Sequence, residues 1–170
     1  MHLHRPLCVV VMGVSGCGKS TVGHQVASRL GLRYVEGDEL HPPGNVALMA
    51  AGTPLTDEDR KAWLDALAEV LQRASAPGVV VSCSALKRAY RDRLRMAAPG
   101  LRLVHLMGAP ALLAERLRAR SGHYMPASLL ASQLSTLQMP EADEHAFTLD
   151  VALAPVDLAD AICQHLQAVA

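Results

Sequence analysis

The octapeptide Gly13-Val14-Ser15-Gly16-Cys17-Gly18-Lys19-Ser20 fits the pattern G-x-x-x-x-G-K-[ST] at every fixed position. Glycines at such positions let successive backbone N–H groups converge on phosphate oxygens without obstruction by side chains. Lys19 can bridge the β- and γ-phosphates of ATP, and the hydroxyl of Ser20 can reach a Mg²⁺ ion. The loop, followed by Thr21, is therefore predicted to bind ATP together with Mg²⁺, and Ser20 is the candidate metal ligand.

The residues on either side of this loop predict the context that it needs. Residues 7–12 form a continuous apolar run, as expected of a strand that is covered on both faces. Residues 20–30 have helical spacing of apolar side chains, and Gly31 is placed to end that helix. The helix would present the positive end of its dipole to the phosphates. If the motif were only a glycine-rich turn that contains Lys-Ser by chance, it would not be expected to lie between a buried strand and an amphipathic helix.

Strands and helices are predicted to alternate along the rest of the chain. Short apolar runs predict strands over residues 33–36, 79–81, 101–107 and 148–152. Helical spacing predicts helices over residues 56–74, 87–97, 110–120, 127–137 and 155–169, with Thr56 as the N-cap of the first. This alternation is typical of an α/β fold with a parallel sheet, which binds ligands at the carboxyl ends of its strands.

Composition excludes several other classes of protein. A chain of 170 residues fits one domain, residues 1–170, with a small helical lid at about 116–137. The 51 % hydrophobic content excludes general disorder, and the 3 % aromatic content argues against platforms that stack nucleic-acid bases. The formal net charge of zero gives no basic field for nucleic acid or membrane. We therefore expect neither as a partner.

The charges are nevertheless segregated along the chain. Between Lys87 and Arg120, nine Lys and Arg residues face only two acids, whereas eight acids lie between Glu36 and Glu69. Such a layout suits a cleft for a compact anion, and solvated helix faces are the alternative.

The cysteines and the N-terminal residues bear on location. The four cysteines are scattered without metal-ligand spacing, which favours reduced thiols. The first six residues are too short and polar for the start of a signal peptide, and no apolar run approaches the roughly 20 residues of a membrane span. We expect a cytoplasmic protein.

Asp38 is the candidate catalytic residue. The strand over 79–81 runs into Ser82-Cys83-Ser84 without an acid, and the guanine-reading pattern Asn-Lys-x-Asp is absent from the sequence. Asp38 follows the strand over 33–36, where its carboxylate could face the γ-phosphate, orient a substrate hydroxyl, accept its proton and hold a Mg²⁺-bound water. The alternative is that Asp38 caps the next turn.

Arg116 and Arg120 are four residues apart on a predicted helix and so share a face. Small-molecule kinases place arginines in a lid that closes over the transferring phosphate. We expect these two residues to stabilise phosphate charge, with a solvated helix face as the alternative.

Several blocks beyond the phosphate loop resemble gluconate kinases of the short P-loop type, and the resemblance covers nearly the whole chain. The blocks are Glu36-Gly37-Asp38 with Leu40-His41-Pro42, residues 52–60 (GTPLTDEDR), residues 83–88 (CSALKR) with Tyr90-Arg91-Asp92, residues 122–125 (GHYM), Ser132-Gln133 and Thr136-Leu137. The phosphate loop alone indicates only a nucleotide, whereas the blocks after Glu36 and Cys83 are far more specific.

This resemblance implies transfer of the γ-phosphoryl group of ATP to the 6-hydroxyl of D-gluconate. It also implies a nucleoside-monophosphate-kinase-like fold with five parallel strands in the order 2-3-1-4-5, Mg²⁺ dependence and a homodimer. Asp38 becomes the candidate base, and Lys19, Arg116 and Arg120 the phosphate stabilisers. The residues that would hold the sugar acid are Asp38, His41, Arg60, Lys87, Arg91, His123 and Gln133.

Two features depart from the simplest form of this hypothesis. The family usually has a lysine before Met49, where this chain has Val46-Ala47-Leu48, so that Leu48 stands in place of a cation. Cys17 in the phosphate loop is either a small filler or a reactive thiol. Shikimate kinases, nucleoside-monophosphate kinases and non-catalytic nucleotide switches remain the alternative functions.

Overall fold

The computed structural model describes residues 5–120 and 127–170. Its centre is a five-stranded parallel sheet in the order β2-β3-β1-β4-β5, which confirms the predicted fold class and strand order. The strands are β1 (Leu7–Met12), β2 (Arg33–Glu36), β3 (Gly78–Ser82), β4 (Arg102–Met107) and β5 (Phe147–Asp150). The helices are α1 (Lys19–Leu30), α2 (Pro43–Ala50), α3 (Asp57–Gln72), α4 (Arg88–Ala97), α5 (Pro110–Ala119), α6 (Ala127–Thr136) and α7 (Pro155–Ala168).

The central strand β1 is apolar on both faces because helices cover both sides of the sheet. Val9 and Val11 belong to the core packed by α1, α5 and α7. Val10 and Met12, which point the other way, belong to the core packed by α3 and α4, where Trp63 is fully buried. The unbroken apolar run in the sequence therefore follows from its position in the middle of three layers.

Local signals at the helix ends agree with the sequence. Gly31 follows α1 with φ 66°, a left-handed conformation that glycine adopts without strain. Thr56 caps α3: its hydroxyl accepts from the Asp59 N–H at 3.1 Å, and the Asp59 carboxylate accepts from the Thr56 N–H at 2.9 Å.

Two elements differ from the sequence prediction. The helix α2 was not expected, because Pro42-Pro43-Gly44 is typical of a loop, yet Pro43 occupies its first turn, where a missing N–H costs nothing. The strand β5 ends at Asp150, two residues before the predicted end. The Asp150 carboxylate accepts from the Ala152 N–H at 2.8 Å, and this side-chain turn ends the strand.

The carboxyl ends of the central strands meet at one edge of the sheet. β1 runs into the phosphate loop, β2 into a short 3-10 helix over Gly37–Leu40, and β3 into Cys83 and Ser84. Parallel pairing sets Glu36 opposite Ser82 in neighbouring strands. This edge is where the candidate site residues assemble. Within the described residues, no helix combines the length and hydropathy needed to cross a bilayer.

Candidate active site

The phosphate loop is held by contacts within and beneath it. Gly18 takes φ 85° at the start of α1, a conformation that favours glycine. The Gly13 N–H donates to the Ser84 carbonyl at 3.3 Å, which ties the loop to the end of β3. The ammonium of Lys19 donates to the Val14 carbonyl at 3.1 Å, so that the lysine folds back over its own loop. Cys17 is 1 % exposed and packs inward, which favours the small-filler interpretation over a reactive thiol.

A carboxylate that the sequence analysis did not single out lies against the candidate metal ligand. Glu36, the last residue of β2, accepts hydrogen bonds from the hydroxyl of Ser20, from Tyr34 at 2.8 Å and from Ser82 at 2.9 Å. Burial of Glu36 opposes its ionisation, but these three hydrogen bonds outweigh burial and hold its pKa below the ordinary value. An ionised carboxylate therefore sits beside the serine hydroxyl.

This pair fits a magnesium ion. Mg²⁺ takes oxygen ligands and keeps several of its waters, so a hydroxyl and one carboxylate are a sufficient protein contribution. The described residues contain no group of three or more His, Cys, Asp or Glu side chains arranged to hold a metal. Glu36 could have been found from the sequence, since it ends a strand two residues before Asp38.

The backbone around Gly37 fixes the place of Asp38. A Cβ on Gly37 would lie 2.2 Å from the Ser82 carbonyl oxygen, so only glycine allows β2 and β3 to stay this close. The indole N–H of Trp63 donates to the Gly37 carbonyl at 2.8 Å and anchors the turn to α3. Asp38 thus leaves the sheet from a fixed point. It lines a cleft together with Lys19, Arg60 and Gln133, which is the main cleft of the site.

The main cleft brings together Lys19 and four of the seven residues predicted to hold the substrate. Lys19 and Asp38 line it from the sheet edge, and Gln133 lines it from α6. His41 and Arg60 complete the set of predicted residues on its wall, next to Thr53-Pro54-Leu55. The lysine of the phosphate loop, a carboxylate and an arginine therefore share one polar cavity.

His41 contributes a neutral ring to this cleft. Its imidazole stacks on Trp63 with a centroid distance of 4.3 Å, and its Nδ1 lies 3.2 Å from the Asn45 amide nitrogen. Burial, together with the nearby charge of Arg60, lowers the pKa of His41 to about 4. At neutral pH the ring can exchange hydrogen bonds with hydroxyl groups but adds no charge.

Gln133 makes a direct hydrogen bond to the phosphate loop. Its side-chain oxygen accepts from the Ser15 N–H at 2.8 Å, one of the amides that would face a phosphate oxygen. The helix α6 is therefore docked onto the loop in this conformation.

Two predicted substrate residues lie elsewhere. Lys87 pairs with Asp57 at 2.9 Å and does not line the main cleft. Arg91 is 1 % exposed: it forms a double hydrogen bond with Glu144, at 2.7 and 3.0 Å, and donates to the carbonyls of Ala85 and Leu86. The Arg91 guanidinium is thus used within the fold in this structure, and its contact with the substrate stays a prediction.

Arg116 and Arg120 line a second cleft, on the other side of the phosphate loop. They share it with Gly16, Gly18 and Thr21. Arg116 is held by the Val151 carbonyl at 2.6 Å, and Arg120 stands one residue beyond α5. The two arginines, which were expected to stabilise phosphate charge, thus form part of a wall beside the loop. His123 and the rest of the block over residues 122–125 lie outside the described residues.

The position that lacks the family lysine is next to the main cleft. Met49 lines the cleft, whereas Leu48 is half-buried and is not part of its wall. The cations on the described wall of the main cleft are Lys19 and Arg60, and Leu48 adds none beside them.

The chain is similar to known proteins over almost its whole length. A family model described as an AAA domain matches residues 8–140. A gluconokinase of Gluconobacter oxydans (strain 621H) is 46 % identical over 166 residues, which cover 96 % of this chain and 93 % of that protein. The crystal structure of a gluconokinase from Sinorhizobium meliloti 1021 has a TM-score of 0.88 and 49 % identity, covering 97 % and 94 % of the two chains. A sugar kinase from Janibacter sp. HTCC2649, solved unliganded, has a TM-score of 0.91 and 45 % identity, covering 96 % and 95 %.

Proposed function

This chain belongs to the gluconokinase family, and from that premise we propose how its residues carry a phosphoryl group from ATP to the 6-hydroxyl of D-gluconate. The protein is an ATP-dependent kinase that phosphorylates gluconate. One observation carries the assignment of roles: Lys19, Asp38 and Arg60 line a single cleft at the carboxyl edge of the sheet. The cleft thus offers a group for phosphate, a group for a hydroxyl and a group for a carboxylate.

The phosphate loop holds the triphosphate in this proposal. The amides between Gly13 and Ser20 surround the β-phosphate, and Lys19 leaves the Val14 carbonyl to contact the β- and γ-phosphates. Arg116 and Arg120, on the second cleft, neutralise phosphate charge from the opposite side of the loop. These cations stabilise the charge that develops as the γ-phosphoryl group moves.

Asp38 acts on the acceptor. Its carboxylate receives a hydrogen bond from the 6-hydroxyl, aligns that oxygen with the γ-phosphorus, and takes the proton as the new P–O bond forms. Product release then returns the proton to water.

Mg²⁺ dependence is part of the proposal. Ser20 and Glu36 would hold the ion with their side-chain oxygens. When bound, Mg²⁺ would shield the charge of the phosphates, so that no further protein cation is needed near Ser20 and Glu36.

The acceptor requires donors and acceptors as well as a cation, because gluconate carries one carboxylate and five hydroxyl groups. Arg60 supplies a planar guanidinium for the carboxylate. The neutral ring of His41 and the amide of Gln133 exchange hydrogen bonds with the hydroxyls. Lys87 contributes through Asp57, and His123 remains a proposed contact on the strength of the family resemblance alone.

A cytoplasmic homodimer completes the proposal. The four cysteines are free, which suits a reducing compartment. The homodimer rests on the family resemblance, and sedimentation equilibrium would test it by giving twice the mass of the 18.1 kDa chain.

A release assay for ADP tests the proposed function against its alternatives. The protein is incubated with ATP, Mg²⁺ and either D-gluconate, shikimate or CMP, and the position of the phosphate is read by ³¹P and ¹³C NMR. We expect turnover with gluconate and a phosphate on carbon 6. Turnover only with shikimate or CMP, or nucleotide binding without any turnover, would refute the proposed function. No observation favours these alternative functions.

A further inference from the structure

A polar cluster between α3 and α4 holds the side chain of Arg60. Its Nη1 donates to the Leu55 carbonyl at 2.8 Å and to the phenolic oxygen of Tyr90 at 3.2 Å. The phenol in turn donates to the carboxylate of Asp57, the first residue of α3. Tyr90 is 5 % exposed, so this hydroxyl is fixed by packing as well as by hydrogen bonds. Neither Tyr90 nor Asp57 lines the main cleft.

These contacts restrict an otherwise mobile side chain. A free arginine carries up to about 2 kcal/mol of rotamer entropy, which a substrate must overcome if the guanidinium is not already ordered. Here both contacts are made by Nη1, and no acceptor within the described part of the chain takes a hydrogen bond from Nη2 or Nε. One edge of the guanidinium is anchored in the protein, and the other edge is available to a planar anion.

The charges of the cluster explain why Arg60, and not Lys87, serves the cleft. The ammonium of Lys87 donates to the same Asp57 oxygen at 2.9 Å, so these two charges compensate each other. Hydrogen bonds from Lys87 and Tyr90 hold the pKa of Asp57 below its ordinary value, and burial raises that of Tyr90. Asp57 is thus ionised and Tyr90 protonated at neutral pH. Asp57 pairs directly with Lys87 and acts on Arg60 only through its charge and the Tyr90 hydroxyl, so the three charges leave one net positive charge.

We propose that Tyr90 and Asp57 are positioning residues that fix Arg60 for the carboxylate of the acceptor, and that they thereby set the preference for sugar acids over neutral polyols. The proposal rests on the proposed function, since it requires Arg60 to bind the acceptor. It adds two residues that do not touch substrate and moves the role of Lys87 from substrate contact to support of Asp57.

The test compares two acceptors that differ only in the group at carbon 1. D-gluconamide has the hydroxyls of D-gluconate but an uncharged amide in place of the carboxylate. In the wild type we expect at least tenfold weaker binding of gluconamide, since a hydrogen bond to a charged group contributes about 1.5–3 kcal/mol. In Tyr90→Phe, which keeps the ring and its packing, the KM for gluconate should rise about tenfold while kcat and the KM for ATP stay within about twofold. The affinity for gluconamide should change little.

A matched control and a second variant make the outcome decisive. Asp65→Asn removes another α3–α4 contact, the exposed ion pair with Arg93 at 3.2 Å, and should leave every parameter unchanged. In an Arg60→Gln background, Tyr90→Phe should add no further loss for gluconate, because its effect acts through Arg60.

Three results separate the hypotheses. If Tyr90→Phe weakens gluconate and gluconamide equally, or lowers kcat alone, its role is general support of the fold and the proposal is overturned. An unchanged KM for gluconate overturns it too, while gluconate turnover by the wild type keeps the proposed function intact. If the wild type turns over no sugar acid, the proposed function itself has failed.

Discussion

In the proposed mechanism, proton transfer depends on the side chain of Asp38. Replacing it by Asn keeps the size and the hydrogen bond but removes the base. We expect kcat to fall by about 10²–10⁴-fold with little change in the KM for gluconate, since a base acts in the transition state. Steady-state kinetics with saturating ATP measure both constants.

Glu39→Gln is the matched control for that variant. Glu39 lies next to Asp38 on the same 3-10 helix and does not line the main cleft. It should retain wild-type rates. An Asp38→Asn enzyme altered only in KM would reduce Asp38 to a binding residue.

The role proposed for Glu36, as a ligand of Mg²⁺, can be tested at the same scale. In Glu36→Gln the hydroxyl of Ser20 keeps an acceptor, but the negative charge beside it is lost. We expect the Mg²⁺ concentration for half-maximal activity to rise several-fold, because fewer charged ligands weaken a hard cation site. Titration of activity with Mg²⁺ at fixed ATP measures this. A half-saturation concentration equal to that of the wild type would show that Glu36 only orders Ser20, Tyr34 and Ser82.

At the scale of elements, we expect α6 to compete with nucleotide for the phosphate loop. The Gln133 oxygen occupies the Ser15 amide, which a phosphate oxygen also requires. Without gluconate present, Gln133→Ala should therefore bind ADP a few-fold more tightly than the wild type, since no side chain has to be displaced. Isothermal titration calorimetry gives the dissociation constant.

Ser135→Ala controls for the substitution within α6, because Ser135 is exposed on the same helix. Its affinity for ADP should equal that of the wild type. Weaker binding of ADP to Gln133→Ala would mean that Gln133 contacts the nucleotide instead of competing with it.

A second element-scale link joins α4 to the segment that follows α6. Glu144 has a side chain that is 0 % exposed and pairs with Arg91 and Arg95. Burial opposes its ionisation, but hydrogen bonds from Arg91, Glu141 and Arg95 lower its pKa to about 2. A carboxyl with a lowered pKa stabilises the fold above its unfolded pKa, and this stability is lost as the pH falls from about 4.5 towards 2.

We therefore expect the free energy of unfolding to fall by about 3 kcal/mol between pH 5 and pH 2 on account of this one group. Urea denaturation of the wild type and of Glu144→Gln at several pH values measures it, and the variant should lack this part of the acid dependence. Glu69→Gln, which removes an exposed pair with Arg73, should keep it. Equal acid dependence in the wild type and Glu144→Gln would contradict the assignment.

For the whole molecule, the sequence predicted the sheet well because its signals are local. The apolar run of β1, the phosphate loop and Gly31 each specify structure through their own residue types. The end of β5 was predicted two residues too late, since the Asp150 turn depends on one side-chain hydrogen bond. The helix α2 was missed because the residues at its start, Pro42-Pro43-Gly44, are typical of a loop.

The site was predicted less completely, because burial and pairing are properties of the folded molecule. Arg91 lies on a helix with three other arginines, and nothing in that spacing distinguishes a buried arginine from one that faces a cleft. Its partner Glu144 lies 53 residues further along the chain, and the sequence gives no sign that the two residues pair. Asp38 and Lys19 were identified because each follows the end of a strand, where parallel sheets place their ligands.

The most direct measurement is a crystal structure with a non-hydrolysable ATP analogue, Mg²⁺ and D-gluconate bound together. We predict that the amides of residues 13–20 surround the β-phosphate, and that Asp38 lies within about 3 Å of the 6-hydroxyl oxygen. A closed complex in which those amides contact no phosphate, or in which Asp38 lies far beyond the roughly 3 Å reach of a general base from that hydroxyl, would contradict the proposed mechanism.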